Sequence, residues 1–216
     1  MVSKVTDRME RKHFSKGLVV AGLDEVGRGA WAGPVTVGAV VYAPDIYIQY
    51  LNDSKRLSPS RRLIVYESIC TSKLSWSVGS ATPREVDKYG LTAALCLASR
   101  RALSSLSASF DMVLLDGNYD YVNHDICDKK YLDKECLDKR YLDVVTCVKG
   151  DSLGFSMAAA SVVAKVSRDR HISSRKEAEM YGWSSNKGYA TAEHIRRVDA
   201  QGLSALHRRS FVVARK

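Results

Sequence analysis

Short apolar runs bounded by glycine or proline are the feature that most restricts how this 216-residue chain can fold. Four of them lie at 18–23, 35–43, 113–115 and 144–148, and a run of alternating polarity lies at 74–78. Continuous apolar runs of this length are typical of strands buried on both faces of a sheet, whereas alternation indicates a partly exposed strand. The sequence therefore predicts one sheet with covered faces.

Helical segments follow and separate these runs. Ser58 is suited to cap a helix that has Pro59 in its first turn, which predicts a helix over 60–71. Further helices are predicted at 91–106, 156–181 and 191–201. Strands that come first and then alternate with helices predict an α/β fold, with a mixed sheet flanked by helices and a helical C-terminal part. The length predicts a single domain, residues 1–216.

Composition restricts the function classes. The chain has 33 Lys and Arg against 24 Asp and Glu, a net charge of +9, so an anionic partner such as nucleic acid is expected. With 45% hydrophobic and 26% charged residues, disorder of the whole chain is excluded. We expect no membrane segment, because no apolar window approaches the roughly 20 residues that a spanning helix needs. The first 17 residues lack the apolar core of a secretion signal.

Cysteine usage favours a reducing, cytoplasmic location. We also expect the enzyme to be a monomer. The five cysteines are scattered and form no CxxC pair, which predicts reduced thiols. They are Cys70, Cys96, Cys127, Cys136 and Cys147. Only His124 and Cys127 are closely spaced, and structural zinc sites usually supply their ligands as close pairs, so zinc is not the expected metal.

An insertion is predicted at about 119–143, because this segment is too long for an ordinary connection between two strands. Three successive pentads, beginning at Asp128, Asp133 and Asp138, each end in leucine. A step of five residues places these leucines on no common helix face, and acids and bases balance over 128–143. We interpret the segment as a solvated loop expanded by duplication.

Acidic residues mark the ends of three of the apolar runs. Asp24 and Glu25 follow the first run, Asp116 follows the third and Asp151 follows the fourth, each within two residues of a glycine. Burying an unpaired carboxylate costs several kcal/mol, so purely structural strands avoid this pattern. Flexible backbone at a strand end lets both Asp24 and Glu25 approach one site. Taken singly, Asp116 and Asp151 also fit turn or N-cap positions.

Four converging carboxylates match the ligand needs of two hard divalent cations, Mn²⁺ or Mg²⁺. The chemistry that such a pair of ions supports is phosphoryl transfer, with one ion activating the attacking water and the other stabilising the leaving oxygen. The sequence therefore predicts a metal-dependent enzyme that acts on phosphodiesters.

Ordered motifs from about residue 18 to residue 211 resemble the ribonuclease HII family. The first is Gly22-Leu-Asp-Glu-Val-Gly-Arg-Gly29, which continues through Gly33-Pro34. The others are Leu51-Asn-Asp-Ser-Lys-Arg-Leu-Ser58, Leu115-Asp-Gly117, Lys149-Gly-Asp151, Ala158-Ala-Ala-Ser-Val-Val-Ala-Lys165 with Arg168-Asp169, Gly188-Tyr-Ala-Thr-Ala-Glu-His194 and His207-Arg-Arg-Ser-Phe211. The resemblance implies a ribonuclease H-like fold and metal-dependent cleavage of RNA that is paired with, or embedded in, DNA.

The resemblance also implies roles for individual residues. Asp24, Glu25, Asp116 and Asp151 become the four catalytic, metal-binding acids. The insertion precedes Asp151, so Asp120, Asp125 and Asp169 stand as substitutes for it. The Gly27-Arg28-Gly29 loop is expected to recognise the ribose 2′-hydroxyl, the one group that distinguishes RNA from DNA there, and Tyr189 to stack against the next sugar. Lys55, Ser161 and Lys165 are suited to phosphate contacts.

The expected activity is hydrolysis of the RNA strand of RNA-DNA hybrids and cutting on the 5′ side of single ribonucleotides in duplex DNA, leaving 3′-hydroxyl and 5′-phosphate ends. Two alternatives remain open from the residues alone. One is another two-metal nuclease of the same fold, which would cut all-DNA substrates. The other is a basic nucleic-acid-binding protein without catalysis, although four acids would then repel the ligand.

Overall fold

A mixed sheet organises residues 5–124 and 141–212, which are the part of the chain that the computed structural model describes. Its strands are β1 (Val20–Val26), β2 (Val35–Val41), β3 (Trp76–Ala81), β4 (Met112–Asp116) and β5 (Asp143–Cys147). The helices are α1 (Arg8–Phe14), α2 (Pro59–Thr71), α3 (Pro83–Tyr89), α4 (Leu91–Ser104), α5 (Phe155–Ser173), α6 (Ala178–Tyr181), α7 (Trp183–Asn186), α8 (Ala192–Gln201) and α9 (Arg209–Val212). The predicted fold class is confirmed.

The strand order is β3-β2-β1-β4-β5, with β1 at the centre. β1 pairs antiparallel with β2 and parallel with β4, and β4 pairs parallel with β5. Leu23 of β1 lies opposite both Ala39 of β2 and Leu115 of β4. Because β1, β4 and β5 run in the same direction, their carboxyl ends lie at one edge of the sheet, and the acidic residues lie in or just after these ends.

Helices cover both faces of the sheet. On one face α4 packs its Ala and Leu side chains, among them Leu97 and Ala98, against Leu23 and Val37. On the other face α5 and α2 pack against Val40 of β2. α5 lies directly on the backbone of the sheet, since a Cβ atom on Gly38 would come within 2.3 Å of the Ala160 carbonyl oxygen. Only glycine permits this approach.

The C-terminal helices pack beside the loop that joins β1 to β2. Tyr181 and Trp183 are buried with Ile172 and with Ala32 of that loop. Single bridges pair Ala30 with Tyr189, and Ala32 with His207. The helical C-terminal part thereby fixes the turn that leaves the central strand.

Several boundaries differ from the sequence predictions. β1 continues to Val26 instead of ending at Leu23, because its pairing with β2 extends through both acids. The predicted helix over 156–181 ends at Ser173 and resumes only at α6. α1 and α3 were not predicted, although Thr82 and Glu85 form a capping box at the start of α3.

Among the described cysteines, Cys70 and Cys147 are free, as expected. Cys96 is disulfide-bonded, so the prediction of reduced thiols throughout is wrong for this residue. Cys127, Cys136 and the pentads lie outside the described residues, so the interpretation of the insertion stays a prediction. No helix in the described ranges is long and apolar enough to cross a membrane.

Candidate metal centre and nucleic-acid interface

Three acids meet at the edge of the sheet where the parallel strands end. Asp24 lies in β1, Asp116 is the last residue of β4, and Asp151 lies in a 3-10 turn (Gly150–Ser152) just after β5. One oxygen of each carboxylate lies within 4.8 Å of the other two. Asp24 is only 5% exposed and Asp151 only 6%. The convergence follows directly from the parallel order of β1, β4 and β5.

The loop after β5 holds Asp116 and Asp151 together through its backbone. The Gly150 amide donates to Asp116 Oδ1 at 2.6 Å, and the Asp151 amide donates to the same oxygen at 3.4 Å. Lys149, which precedes them, has a φ of 61°, a left-handed conformation uncommon outside glycine. This turn directs two consecutive amides at one carboxylate.

Burial, together with the charges of neighbouring acids, raises the pKa of each of the three acids. Burial, followed by the charges of Glu25, Asp116 and Asp151, raises the pKa of Asp24 well above its usual range. Burial is also the main reason why the pKa of Asp116 is raised. The pKa of Asp151 rises to about 6, through burial and then through the charges of Asp116 and Asp53. A clustered set of oxygen donors that resist ionising together fits a hard divalent cation, which would neutralise them.

The loop between β2 and α2 brings a cation to this cluster. Burial alone would lower the pKa of the Lys55 ammonium, but the charges of Asp24, Asp151 and Asp53 raise it. The Lys55 amide donates to Asp53 Oδ1 at 2.8 Å, and the charge of Asp53 contributes to the raised pKa of Asp151. Lys55 is therefore the positive group next to the three acids.

Ser161 supports this loop from beneath. It is 1% exposed, and its hydroxyl accepts a hydrogen bond from the Ser54 amide at 3.1 Å while donating to the Ala158 carbonyl at 3.0 Å. The structure does not bring Ser161 to a surface where a phosphate could reach it. Ser161 instead holds the backbone of the loop that carries Lys55.

Glu25 is not part of the group of three. Successive side chains of a strand point to opposite faces, and both Asp24 and Glu25 lie within the regular part of β1. Glu25 Oε2 accepts from the Tyr121 hydroxyl at 2.8 Å, and Glu25 Oε1 accepts from Arg28 Nη1 at 2.9 Å. No turn separates the two acids, but the Glu25 charge still raises the pKa of both Asp24 and Asp116, and its role as a metal ligand stays a prediction.

The Gly27-Arg28-Gly29 loop lies between the acids and Tyr189. Gly27 has a φ of 87°, and a Cβ atom there would lie 2.2 Å from the Arg168 guanidinium, so the position requires glycine twice over. A Cβ atom added to Gly29 would have no other atom within 4 Å, so this part of the loop faces open space. Beneath the loop, buried Arg208 donates to the Arg28 carbonyl at 2.9 Å.

Tyr189 lies next to the end of this loop, and its ring packs against two cationic side chains. It is half-buried and pairs with Ala30 in a short antiparallel bridge. The guanidinium of Arg168 lies 5.4 Å from the centre of the Tyr189 ring, and Lys165 Nζ lies 5.9 Å from it. Lys165 also forms an ion pair with Asp169 at 3.0 Å. Its ammonium is therefore shared between a carboxylate and an aromatic ring.

Two of the three substitutes for Asp151 lie away from the metal centre. Asp120 accepts from the Val122 and Asn123 amides, and Asp169 pairs with Lys165. Asp125 lies outside the described residues. Among the described acids, only Asp24, Asp116 and Asp151 form a group that could hold a metal ion.

Sequence reasoning missed two residues of the site. Tyr121 lies in the irregular segment after β4, and no sequence signal links it to Glu25. Asp53 did have a signal, since it belongs to the same motif as Lys55, but its closeness to Asp151 depends on how that loop packs.

A mixed sheet with helices on both faces and acids at its parallel end defines a metal-dependent nuclease with a ribonuclease H-like fold. Two solved structures share this fold. The ribonuclease H2 of Pyrococcus horikoshii OT3 is 25% identical, with a TM-score of 0.69 over 92% of this chain and 96% of that one. The ribonuclease HII of Archaeoglobus fulgidus, solved in complex with PCNA, is 26% identical, with a TM-score of 0.67 over 89% of this chain and 94% of that one.

The particular family follows from the sequence matches. The family model Ribonuclease HII matches residues 21–214. Ribonuclease HII of Wolbachia pipientis subsp. Culex pipiens (strain wPip) is 39% identical over 199 residues, which is 91% of this chain and 92% of that protein. The chain belongs to the ribonuclease HII family, and it is a metal-dependent endonuclease of RNA-DNA hybrids.

Proposed function

We propose that this enzyme, besides hydrolysing the RNA strand of hybrids, cuts duplex DNA on the 5′ side of a single embedded ribonucleotide and leaves 3′-hydroxyl and 5′-phosphate ends. The observation that carries the proposal is that the glycine loop connects the acids with Tyr189. Arg28 of the glycine loop bonds Glu25, the neighbour of Asp24, and the same loop pairs with Tyr189 at its other end. A sugar-reading surface therefore lies directly beside the acids.

Asp24, Asp116 and Asp151 are the residues that would hold the divalent cations, Mn²⁺ or Mg²⁺, with Glu25 as the fourth acid beside them. When bound, two such ions supply the Lewis acidity for in-line hydrolysis of a phosphodiester. Lys55 lies against the same acids, where its ammonium is placed to attract a backbone phosphate. Lys165 adds positive charge next to Tyr189, and Ser161 holds the Lys55 loop.

Recognition of the 2′-hydroxyl is assigned to the backbone of Gly27, Arg28 and Gly29. The missing side chain of Gly29 lets the backbone there approach a sugar closely, and buried Arg168 and Arg208 hold the loop in one conformation. A rigid site built around a hydroxyl rejects a ligand that lacks it, because the polar groups of the site then stay unpaired. Tyr189 packs against the following deoxyribose.

We expect the enzyme to be monomeric and built as a single domain. The net charge of +9 supports association with the phosphate backbone without sequence preference. We place the enzyme in the cytoplasm, where it would have access to DNA.

The test compares three duplexes: one with a single ribonucleotide, a uniform hybrid and an all-DNA control, each with Mn²⁺, with Mg²⁺ and with chelator. We expect cleavage of the first two in either metal, a cut 5′ of the ribonucleotide, and no cutting of all-DNA. Tyr189→Ala should lose most activity on the single-ribonucleotide duplex, whereas Tyr47→Ala, at a 75% exposed tyrosine, should lose none. Cleavage of all-DNA, or a Tyr189→Ala variant that cuts the junction normally, contradicts the recognition model.

A further inference from the structure

A chain of hydrogen bonds between buried side chains leads to the backbone of Tyr189. His194 Nδ1 lies 2.9 Å from the Tyr189 carbonyl oxygen, and His194 Nε2 lies 3.1 Å from His207 Nε2. Trp183 donates its indole N–H to the same His194 nitrogen at 3.1 Å. His194 is 0% exposed and His207 2%, so these hydrogen bonds are shielded from water.

The partners fix where each imidazole carries its proton. His207 Nδ1 accepts the Ser204 amide N–H at 3.0 Å, so the proton of His207 lies on Nε2 and is donated to His194. The lone pair of His194 Nε2 is shared by the Trp183 and His207 donors, so the proton of His194 lies on Nδ1 and is donated to Tyr189. This is the arrangement of two neutral rings in which every donor faces an acceptor.

Burial supports the neutral state of both rings. It lowers the pKa of His194, and together with the neighbouring His194 it lowers the pKa of His207 to about 4. The rings also pack against the faces and edges of Tyr181 and Trp183, at centroid distances between 4.7 and 6.4 Å. Neither ring can turn over without losing a hydrogen bond in an apolar environment, which is costly.

We propose that His194 and His207 are positioning residues for Tyr189, and that this relay fixes where the tyrosine ring meets the sugar next to the ribonucleotide. The Tyr189 carbonyl accepts from His194 on one side and from the Thr191 amide, at 2.8 Å, on the other. The backbone of Tyr189 is therefore held at its carbonyl as well as at its bridge to Ala30. This inference rests on the proposed role of Tyr189 at the junction.

The experiment uses the full chain and four variants. His194→Phe and His207→Phe keep a flat ring but remove the hydrogen bonds, whereas His207→Gln keeps an amide that can donate to His194. Tyr181→Phe is the matched control, because it removes a hydroxyl bond to the Gly202 carbonyl within the same aromatic cluster but outside the relay. Circular dichroism and urea unfolding show that each variant is folded.

We expect kcat/KM on the single-ribonucleotide duplex to fall about tenfold in each Phe variant, the factor that corresponds to about 1.4 kcal/mol. Hydrolysis of the uniform hybrid should change less, His207→Gln should keep most of the junction activity, and Tyr181→Phe should keep all of it. In a Tyr189→Ala background the Phe substitutions should cost nothing further, because the relay acts through that side chain.

Additive losses in the double variants, or equal losses on both substrates, would overturn the relay. A second measurement does not depend on activity or on the Phe variants. Nitrogen NMR of the ¹⁵N-histidine-labelled wild type at about pH 7 should show His194 protonated on Nδ1 and His207 on Nε2, and other tautomers contradict the inference. If the wild type fails to cut the junction while these tautomers are found, the proposed substrate is wrong and the relay stands as a feature of the fold.

Discussion

Replacing Asp24 by Asn should make the metal-free protein more stable while removing its activity. Asp24 is 5% exposed, and its carboxylate lies within 4.8 Å of two others. At an effective dielectric constant of about 20, two unit charges separated by 4.8 Å repel each other by about 3.5 kcal/mol. Part of this repulsion is already avoided because the pKa of Asp24 is raised, first by burial and then by its neighbours. We expect the variant to gain about 1–3 kcal/mol in free energy of unfolding.

The shape of the site survives this change. Asn keeps an oxygen that can accept the Glu25 amide, which now donates to Asp24 Oδ1 at 2.8 Å. What the variant loses is the negative charge that holds a cation, so divalent metal should no longer raise its stability. The wild type should gain about 1.4 kcal/mol when free metal is at tenfold its Kd.

The assay is urea unfolding at about pH 8, in chelator and across a Mn²⁺ titration, paired with cleavage of a uniform hybrid. Asp199→Asn, at an exposed acid on α8, is the control and should behave as the wild type. A variant that is less stable than the wild type in chelator would show that the acids do not repel. Near-native turnover at saturating metal would remove Asp24 from the metal site.

Three further predictions concern other parts of the molecule. Glu10→Ala should lower the free energy of unfolding by about 1–2 kcal/mol, because buried Glu10 accepts the Ser156 amide at the start of α5, whereas Glu10→Gln should cost less; urea unfolding compares the two. The free energy of unfolding should fall by at most about 3 kcal/mol as pH falls from about 6.5 to about 4. The reason is that the folded state lowers the pKa of His207 to about 4, so in this range the ring takes up its proton only on unfolding. His207→Gln should flatten this pH dependence. Deleting residues 128–140 should leave hybrid hydrolysis intact, provided that Leu142 stays, since it packs on the core and bonds Asn123.

Each of these has a clear contradicting result. Equal unfolding curves for Glu10→Ala and the wild type would show that α5 needs no cap from α1. An unchanged pH dependence in His207→Gln would assign the acid sensitivity to other groups. A loop-deleted enzyme with a normal circular dichroism spectrum but no hydrolysis would place the insertion at the substrate.

Much of the sheet could be predicted because its strands are short apolar runs between glycines and prolines. The convergence of Asp24, Asp116 and Asp151 was predictable for the same reason, since parallel strands end at one edge and acids follow three of them. The orientation of the Glu25 side chain could not be predicted, because it depends on how far the pairing of β1 with β2 continues. Local periodicity carries no information about where a ladder stops.

The helix α5 illustrates a second limit. Its composition predicted a helix, and Lys165 and Asp169 are four residues apart, so their ion pair had a sequence signal. Which face of α5 is buried depends on Gly22 and Gly38 of two distant strands, and this decides that Ser161 lies inside. Tertiary contacts of this kind settle whether a polar side chain reaches a ligand or a loop.

The close packing of α5 on β1 and β2 also bears on how the chain folds during synthesis. The β1-β2-β3 meander is complete by residue 81, but the helix that covers one of its faces begins only at residue 155. Until then Val40 and its neighbours on β2 have no partner from α5. The Ser156 amide at the start of that helix must also meet a glutamate made 146 residues earlier. Such long-range closure slows folding and exposes apolar surface to aggregation. A ribosome that pauses before residue 155 would therefore hold a nascent chain that depends on chaperones.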